Sequence, residues 1–388
     1  MNRKQFTTLL VLVIVVGGLG WLLYNRDRAS YSSGGTSLGG KVLGDFDVNA
    51  VARVTIKTST NELTLVKQDD RWTVKERAGY PANFDNISSF LRDLAELKFV
   101  QREQIGASFL PRLELVPPGQ GTNSGTLVEL ADKDGKTLRS VLLGKKHFKR
   151  QTEDGFGGGV ADGRYVMVGN DTAQLGLVAE SFNRAEAKPE SWINKDFVKI
   201  DNAITFVMTA PVASNSWTLS RSNAVADWEL QSVKAGEKLD QAKAAPLGSF
   251  FTMAGFNDVM KAPADLKSLG LDAPRVLKIR TLDGFHYELK IGATNEENAY
   301  LQIAVSAELP KERTPGKDEK AEDKEKLDKE FKERLEKLKD KLATEQQFAG
   351  WVYLVSKWTL DAVLKDRHEF LEAKPEAAPV TAPDPAAK

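Results

Sequence analysis

Two stretches of the chain carry the same landmarks in the same order, and this recurrence limits the fold more than any single motif. The first opens with two period-two β-patterns, Val54-Thr55-Ile56-Lys57 and Glu62-Leu63-Thr64-Leu65-Val66-Lys67. A polar turn, Gln68-Asp69-Asp70, leads into Arg71-Trp72-Thr73-Val74-Lys75. After Tyr80-Pro81-Ala82 the period becomes helical. Phe84, Ile87, Phe90, Leu91, Leu94 and Leu97 form one stripe, with Asn83 and Asp85 as cap residues. Farther on, Thr126–Leu130 and Thr137–Gly144 read as strands joined by the hairpin signal Asp132-Lys133-Asp134-Gly135. Arg164–Val168 is another strand, Thr172–Ala187 is weakly helical, and Trp192–Phe197 connects the copies.

The second copy starts at Ala203. Ile204–Met208 matches the first strand, Ser216–Ser220 the second, and Asp227-Trp228-Glu229-Leu230 matches Arg71-Trp72-Thr73-Val74. A helix is expected from Ala242 to Val259, with Leu247, Phe250, Phe251 and Ala254 on its apolar side. Val276–Arg280, Asp283-Gly284 and Tyr287–Gly292 repeat the hairpin, and Gly292 stands where Gly144 stood. Trp351–Val355 is matched to Tyr165–Val168, and Leu360–Leu371 reads as a closing helix.

What precedes the copies sets the expected compartment. Phe6–Tyr24 carries no charge, and a helix of about 20 apolar residues spans a bilayer core. Arg3 and Lys4 precede it, and Trp21 and Tyr24 lie at its far end, where interfacial aromatics belong. The reading is a retained signal anchor with the remainder outside the cytoplasm; a cleaved signal peptide is the rival. Ser30–Gly40 is rich in Gly and Ser and reads as a tether. The Pro/Ala-rich tail, 373–388, reads as disordered. The expected organisation is an anchor with flanks at 1–29, a linker at 30–41, repeats at 42–200 and 201–372, and the tail.

These residues also carry a resemblance. The run Trp72…Tyr80-Pro81-Ala82…Leu91-Arg92-Asp93-Leu94-Ala95-Glu96-Leu97 resembles the family called domain of unknown function 4340, over roughly Gly40 to Leu371. The resemblance implies an anchored bacterial envelope protein whose partners are an ABC exporter permease and an auxiliary subunit of the gliding-motility type. It implies no catalytic residues.

Composition removes several chemistries. Lys+Arg and Asp+Glu both number 54, so no global charge points to nucleic acid or to an acidic substrate. With no cysteine there is no thiol catalysis, Cys-ligated metal, lipobox or disulfide. His147, His286 and His368 are far apart in sequence, and no metal-ligand spacing links them. Asp132–Gly135 begins like a calcium loop, but Leu143 stands where the closing Glu belongs. Gly155-Phe156-Gly157-Gly158-Gly159 leads into a strand, so it is a hairpin tip and not a phosphate loop. No Gly-x-Ser-x-Gly is present. Neither a cofactor nor a metal is expected. Trp72 and Trp228 read as core anchors.

Two surfaces stand out. Lys145, Lys146, Lys149 and Arg150 form the densest basic run, either an anionic contact or an edge strand protected by charge. The segment 311–345 interrupts the second copy before Trp351, where the first copy has its glycine-rich hairpin. Its Glu→Lys pairs favour a solvated helix, and Leu327, Phe331, Leu335, Leu338 and Leu342 add a coiled-coil-like stripe. That stripe either packs on its own sheet or docks on a partner. The expectation is an α+β protein of two tandem similar halves, each a mainly antiparallel sheet with covering helices, plus one N-terminal transmembrane helix. The favoured function is a non-catalytic accessory subunit. The alternatives are a peptide- or glycan-binding module and, less favoured, an envelope hydrolase.

Overall fold

The computed structural model describes residues 39–148, 161–263, 265–315, 319–320 and 323–373. Phe6–Tyr24, most of the Gly/Ser linker, Lys149, Arg150, Gly155–Gly159 and the tail beyond 373 lie outside the described residues. Among the described residues no helix is long and apolar enough to cross a membrane. The chain divides into two units between Asn194 and Lys195, each built on one antiparallel sheet with a few helices. This division precedes the boundary expected after residue 200. Trp192–Asn194, read as connector, belong to the first unit: Asn83 N donates to Trp192 O (2.7 Å), and Asn194 N to Pro81 O (2.8 Å).

The first unit runs β1 (Arg53–Lys57), β2 (Glu62–Gln68), β3 (Arg71–Val74), β4 (Tyr80–Pro81), α1 (Phe84–Ala95), β5 (Phe99–Arg102), β6 (Thr126–Ala131), β7 (Thr137–Phe148), β8 (Ala161–Val168) and β9 (Leu175–Val178). The sheet order is β4-β3-β2-β1-β6-β7-β8-β9-β5. Alternation sets the inward face: Val54, Ile56, Val128, Leu130, Val141, Leu143 and Val166 are buried. α1 starts at Asn83, whose Oδ1 accepts from Asn86 N (2.9 Å). It carries the chain from the β4 edge to the β5 edge, and so must cross the sheet. Ile87, Phe90, Leu91 and Leu94 face inward, each contributing ~1.5–3 kcal/mol by burial. Phe90 meets Trp192 and Phe182 edge-on at 5.4 and 6.0 Å. Phe84, counted in the stripe from sequence, is 63% exposed, because the first helical residue overhangs the sheet edge.

The second unit runs β10 (Ala203–Thr209), β11 (Trp217–Ser220), β12 (Glu229–Leu230), α2 (Gln241–Ala244), β13 (Asp258–Lys261), β14 (Arg275–Thr281), β15 (Phe285–Thr294), β16 (Asn298–Ala307), α3 (Lys324–Gln346), β17 (Trp351–Ser356) and α4 (Lys357–Leu364). Its order is β12-β11-β10-β14-β15-β16-β17-β13. Leaving out β4, the two orders coincide strand for strand. The registers agree as well: Val54 pairs Leu65 and Leu65 pairs Val74, as Phe206 pairs Leu219 and Leu219 pairs Leu230. Trp72 and Trp228, each two residues before the last of these, occupy equivalent positions and are buried.

The structure corrects four sequence readings. Trp351–Ser356 corresponds to β9, and the counterpart of Tyr165–Val168 is β16. The charged insert therefore replaces the short turn after Val168, and the glycine-rich hairpin corresponds to the turn before Asn298. Within Thr172–Ala187, Leu175–Val178 is a strand, because pairing with both β8 and β5 outweighs weak helical propensity. The helix expected over Ala242–Val259 is limited to α2 and a 3-10 turn, Ala245–Ser249, before β13. Pro246 and Gly248 break it, and Phe251 turns at φ 61°, although Leu247, Phe250 and Phe251 stay buried. The closing helix is α4 followed by a 3-10 turn, Arg367–Phe370, with the chain extended at Lys365 between them.

One device recurs at Gly144 and Gly292. In the first unit a 3-10 turn, Ala107–Leu113, ends in left-handed Glu114 (φ 55°); in the second, Lys267–Leu269 ends in left-handed Gly270 (φ 62°). The carbonyls of Leu113 and Leu269 sit against the two strand glycines so closely that a Cβ would collide with them. Leu115 and Leu271 then pack on the outer face, against Leu142, Met167 and Leu175 in one unit and Val352 in the other. Replacing Gly144 or Gly292 by Ala is expected to lower unfolding free energy by ~1–3 kcal/mol in urea titrations. A change under ~0.5 kcal/mol would mean that the cover lifts off freely.

Candidate functional site

The outer face of the second sheet holds a groove of about 750 Å³. Register builds it from two rows that each cross four strands. One row is Val207, Lys278, Glu288 and Ala304; the other is Thr205, Arg280, His286 and Ser306. These side chains lie in the polar phase of strands whose other phase, Phe206, Ile279, Tyr287 and Val305, is buried. Ala304 and Ser306 are too short to fill their end, which makes the surface concave. Lys278 Nζ lies 3.7 Å from Glu288 Oε2, and Lys290 Nζ lies 3.8 Å from Glu288 Oε1. Such exposed pairs are worth little in stability but set the charge pattern a ligand meets.

The groove is open. Ser306 stands opposite His286 with no hydrogen bond between them among the described contacts. His286 Nε2 is 4.0 Å from Glu308 Oε2, and the Glu308 side chain is 88% exposed. The three lack the tight base–orienter contact of a nucleophilic site. Among the described residues no group of three or more His, Asp or Glu is placed to hold a metal ion.

The apolar stripe of the insert lies on α3. Leu327, Phe331, Leu335, Leu338 and Leu342 are all half-buried. Phe331, Leu335 and Leu338 line a cleft of about 200 Å³ with Leu282 and Pro310. The stripe, the helix's apolar face, packs in part on its own unit and stays half-buried. Polar ties fix the helix. Arg334 pairs with Asp283. Lys341 Nζ donates to Lys199 O (2.7 Å). Glu345, buried, accepts from Lys199 N (3.1 Å) and from the Tyr287 hydroxyl (2.8 Å). Burial, with the Glu345 carboxylate alongside, raises the Tyr287 pKa far above the usual phenol value, so the hydroxyl remains a donor.

Of the basic run, Lys145 is exposed and Lys146 half-buried at the end of β7. There β7 has outrun β6 and pairs on one side only, with β8. Beside them His147 Nδ1 meets Asp162 Oδ1 at 2.7 Å. The groove was not legible in the sequence. Its polar phase was legible strand by strand, but the rows appear only once four strands are in register.

The two units share one architecture, an antiparallel sheet with a few helices, and the second carries an open polar groove. A family model described as domain of unknown function (DUF4340) matches residues 72–274, and the chain belongs to that family. The match begins at Trp72 and ends just before β14, so it takes in parts of both units. No curated protein and no solved structure matches the chain.

Glu345→Ala leaves the Lys199 amide without its acceptor and the Tyr287 hydroxyl with the longer contact to Lys199 O (3.4 Å). The expected loss is about 2–3 kcal/mol in chemical denaturation, with Glu345→Gln losing less because it keeps one acceptor oxygen. Equal losses for the two variants would contradict the hydrogen-bond account.

Proposed function

We propose that the chain is a non-catalytic accessory subunit of an ABC-type export or gliding-type complex. In this reading Phe6–Tyr24 holds it in the bacterial inner membrane, with both sheets on the extracytoplasmic side. The observation that carries the reading is the groove, a wide surface of alternating charge and small side chains across four strands. Such a surface suits docking of a protein segment, with charge pattern setting specificity. The uncharged run and the Gly/Ser tether behind it support the anchoring. The family resemblance supports the link to a permease and an auxiliary envelope subunit.

The reading is tested with Lys278→Gln/Arg280→Gln in the full chain, purified from detergent-solubilised membranes and compared with the wild type by mass spectrometry. Both positions face solvent, so the unfolding temperature is expected to stay within about 2 °C, in line with the small effects of surface changes. Recovery of permease and auxiliary subunit is expected to fall at least tenfold, roughly the effect of losing two interfacial charges. Full recovery of partners, or a wild-type eluate without transporter subunits, defeats the proposal. Topology has its own test. The chain has no cysteine, so Ser124→Cys supplies a single target for an impermeant thiol reagent. Labelling is expected in spheroplasts; labelling only after lysis would place the units in the cytoplasm.

A glycan-binding reading has one observation in its favour. Trp358, 74% exposed, stands over a depression of about 520 Å³ with Asn257, Asn298, Glu296 and Glu297. An exposed indole beside planar amide and carboxylate groups suits stacking on a sugar ring.

A further inference from the structure

One cross-strand pair departs from the rule that governs the rest of the sheet. Lys146 on β7 and Arg164 on β8 are direct partners, and like charges facing each other across an antiparallel pair destabilise it. The equivalent pair in the second unit is Thr294 and Ala299, so the fold itself has no need of charge there.

Arg164 shares the inward phase of Val166 and is only 9% exposed. Its Nε donates to Gly144 O at 2.7 Å, and its terminal nitrogens lie 3.4–3.5 Å from the carbonyls of Phe182, Ser181 and Leu143. Carbonyls orient a guanidinium without cancelling its charge. Burial pulls the Arg164 pKa below its ordinary value, and the field of Glu114 opposes this. Among the described residues no carboxylate pairs with Arg164 or Lys146. A buried cation without a counterion is costly, and an anion beside it recovers that cost.

Space for one is present. A pocket of about 270 Å³ opens on both cations, and Asn61, Asn183 and Thr126 add neutral donors to its wall. Glu186 also borders it, but its carboxylate is held by Lys188 Nζ at 2.8 Å. We propose that this pocket binds a phosphate group. The carbonyls hold the Arg164 fork in place, so it acts mainly through its uncompensated charge, while the Lys146 ammonium, the amides and a hydroxyl supply donors to a tetrahedral oxyanion. The group is supplied either as free inorganic phosphate or as an anionic lipid headgroup, since the recognised chemistry is the same. The proposal stands independently of any export complex.

The test uses the full chain in non-ionic detergent and isothermal titration calorimetry. The probes are inorganic phosphate and dihexanoylphosphatidylglycerol; dihexanoylphosphatidylcholine and sodium chloride at equal ionic strength are controls. Saturable heat is expected with one or both probes and not with the controls. Lys146→Thr restores the residue type of the second unit. It is expected to weaken binding about tenfold or more, the usual consequence of losing a charge-assisted contact. Its ligand-free unfolding temperature is expected to be unchanged or higher, because a repulsive pair is gone. A response to phosphatidylglycerol alone assigns the headgroup, and a response to inorganic phosphate assigns the free ion. No saturable binding of either probe, wild-type affinity in Lys146→Thr, or a ligand-free Lys146→Thr of lower stability would each overturn the proposal.

Discussion

At two points the backbone of a covering turn rests directly on the backbone of a strand. The carbonyls of Leu113 and Leu269 approach Gly144 and Gly292 so closely that no side chain fits between them. Everything on the outer face of each sheet follows from that approach. The left-handed residue after each turn aims Leu115 or Leu271 onto the strands, and the outer clusters form around those leucines. The cover is short, so part of the outer face stays open. In the second unit that open part is the groove. A larger residue at either glycine would lift the cover.

Much of the fold was legible in the sequence because its signals are local. The period-two strands, the helical stripe of Ile87, Phe90, Leu91 and Leu94, and the Asp132–Gly135 turn depend on near neighbours. Asp132 Oδ1 indeed closes that turn by accepting from Asp134 N and Lys136 N. What escaped depends on partners distant in sequence. Leu175–Val178 is a strand only because β8 and β5 flank it, and nothing in its own residues says so. The match of Trp351 to Tyr165 failed for a related reason. β16 and β17 both read as apolar strands ahead of a break, and only the order of the sheet separates them. The groove and the Lys146–Arg164 pair are products of register, which single strands do not encode.

The insert shows how a repeated fold absorbs additions. It enters where the first unit makes a tight turn between neighbouring strands, so the sheet is undisturbed. Its helix is then fastened to β15 and to the segment before β10 by Glu345 and Lys341, at the end nearest its re-entry into the sheet. The first half of α3 is held by Arg313 at Asp328 and by the Arg334–Asp283 pair, and there Lys326 and Lys329 lie 4.0 Å from Glu330 and Glu333.

The far edge strand of each sheet has a consequence for the order of assembly. β5 is made early, yet among the described residues its strand partner is β9, and Phe99 waits for Val178. β13 likewise waits for β17, with Asp258 opposite Leu354. Closing loops of that length delays pairing and raises contact order. Neither sheet is complete until the last strand of its unit has been synthesised. A chain emerging in N-to-C order therefore carries an unpaired β5, with its exposed Val100, while β6 to β9 are still being added. During that interval the strand is open to pairing with other chains. The two units present the same hazard in succession, and the first can be closed before the second begins.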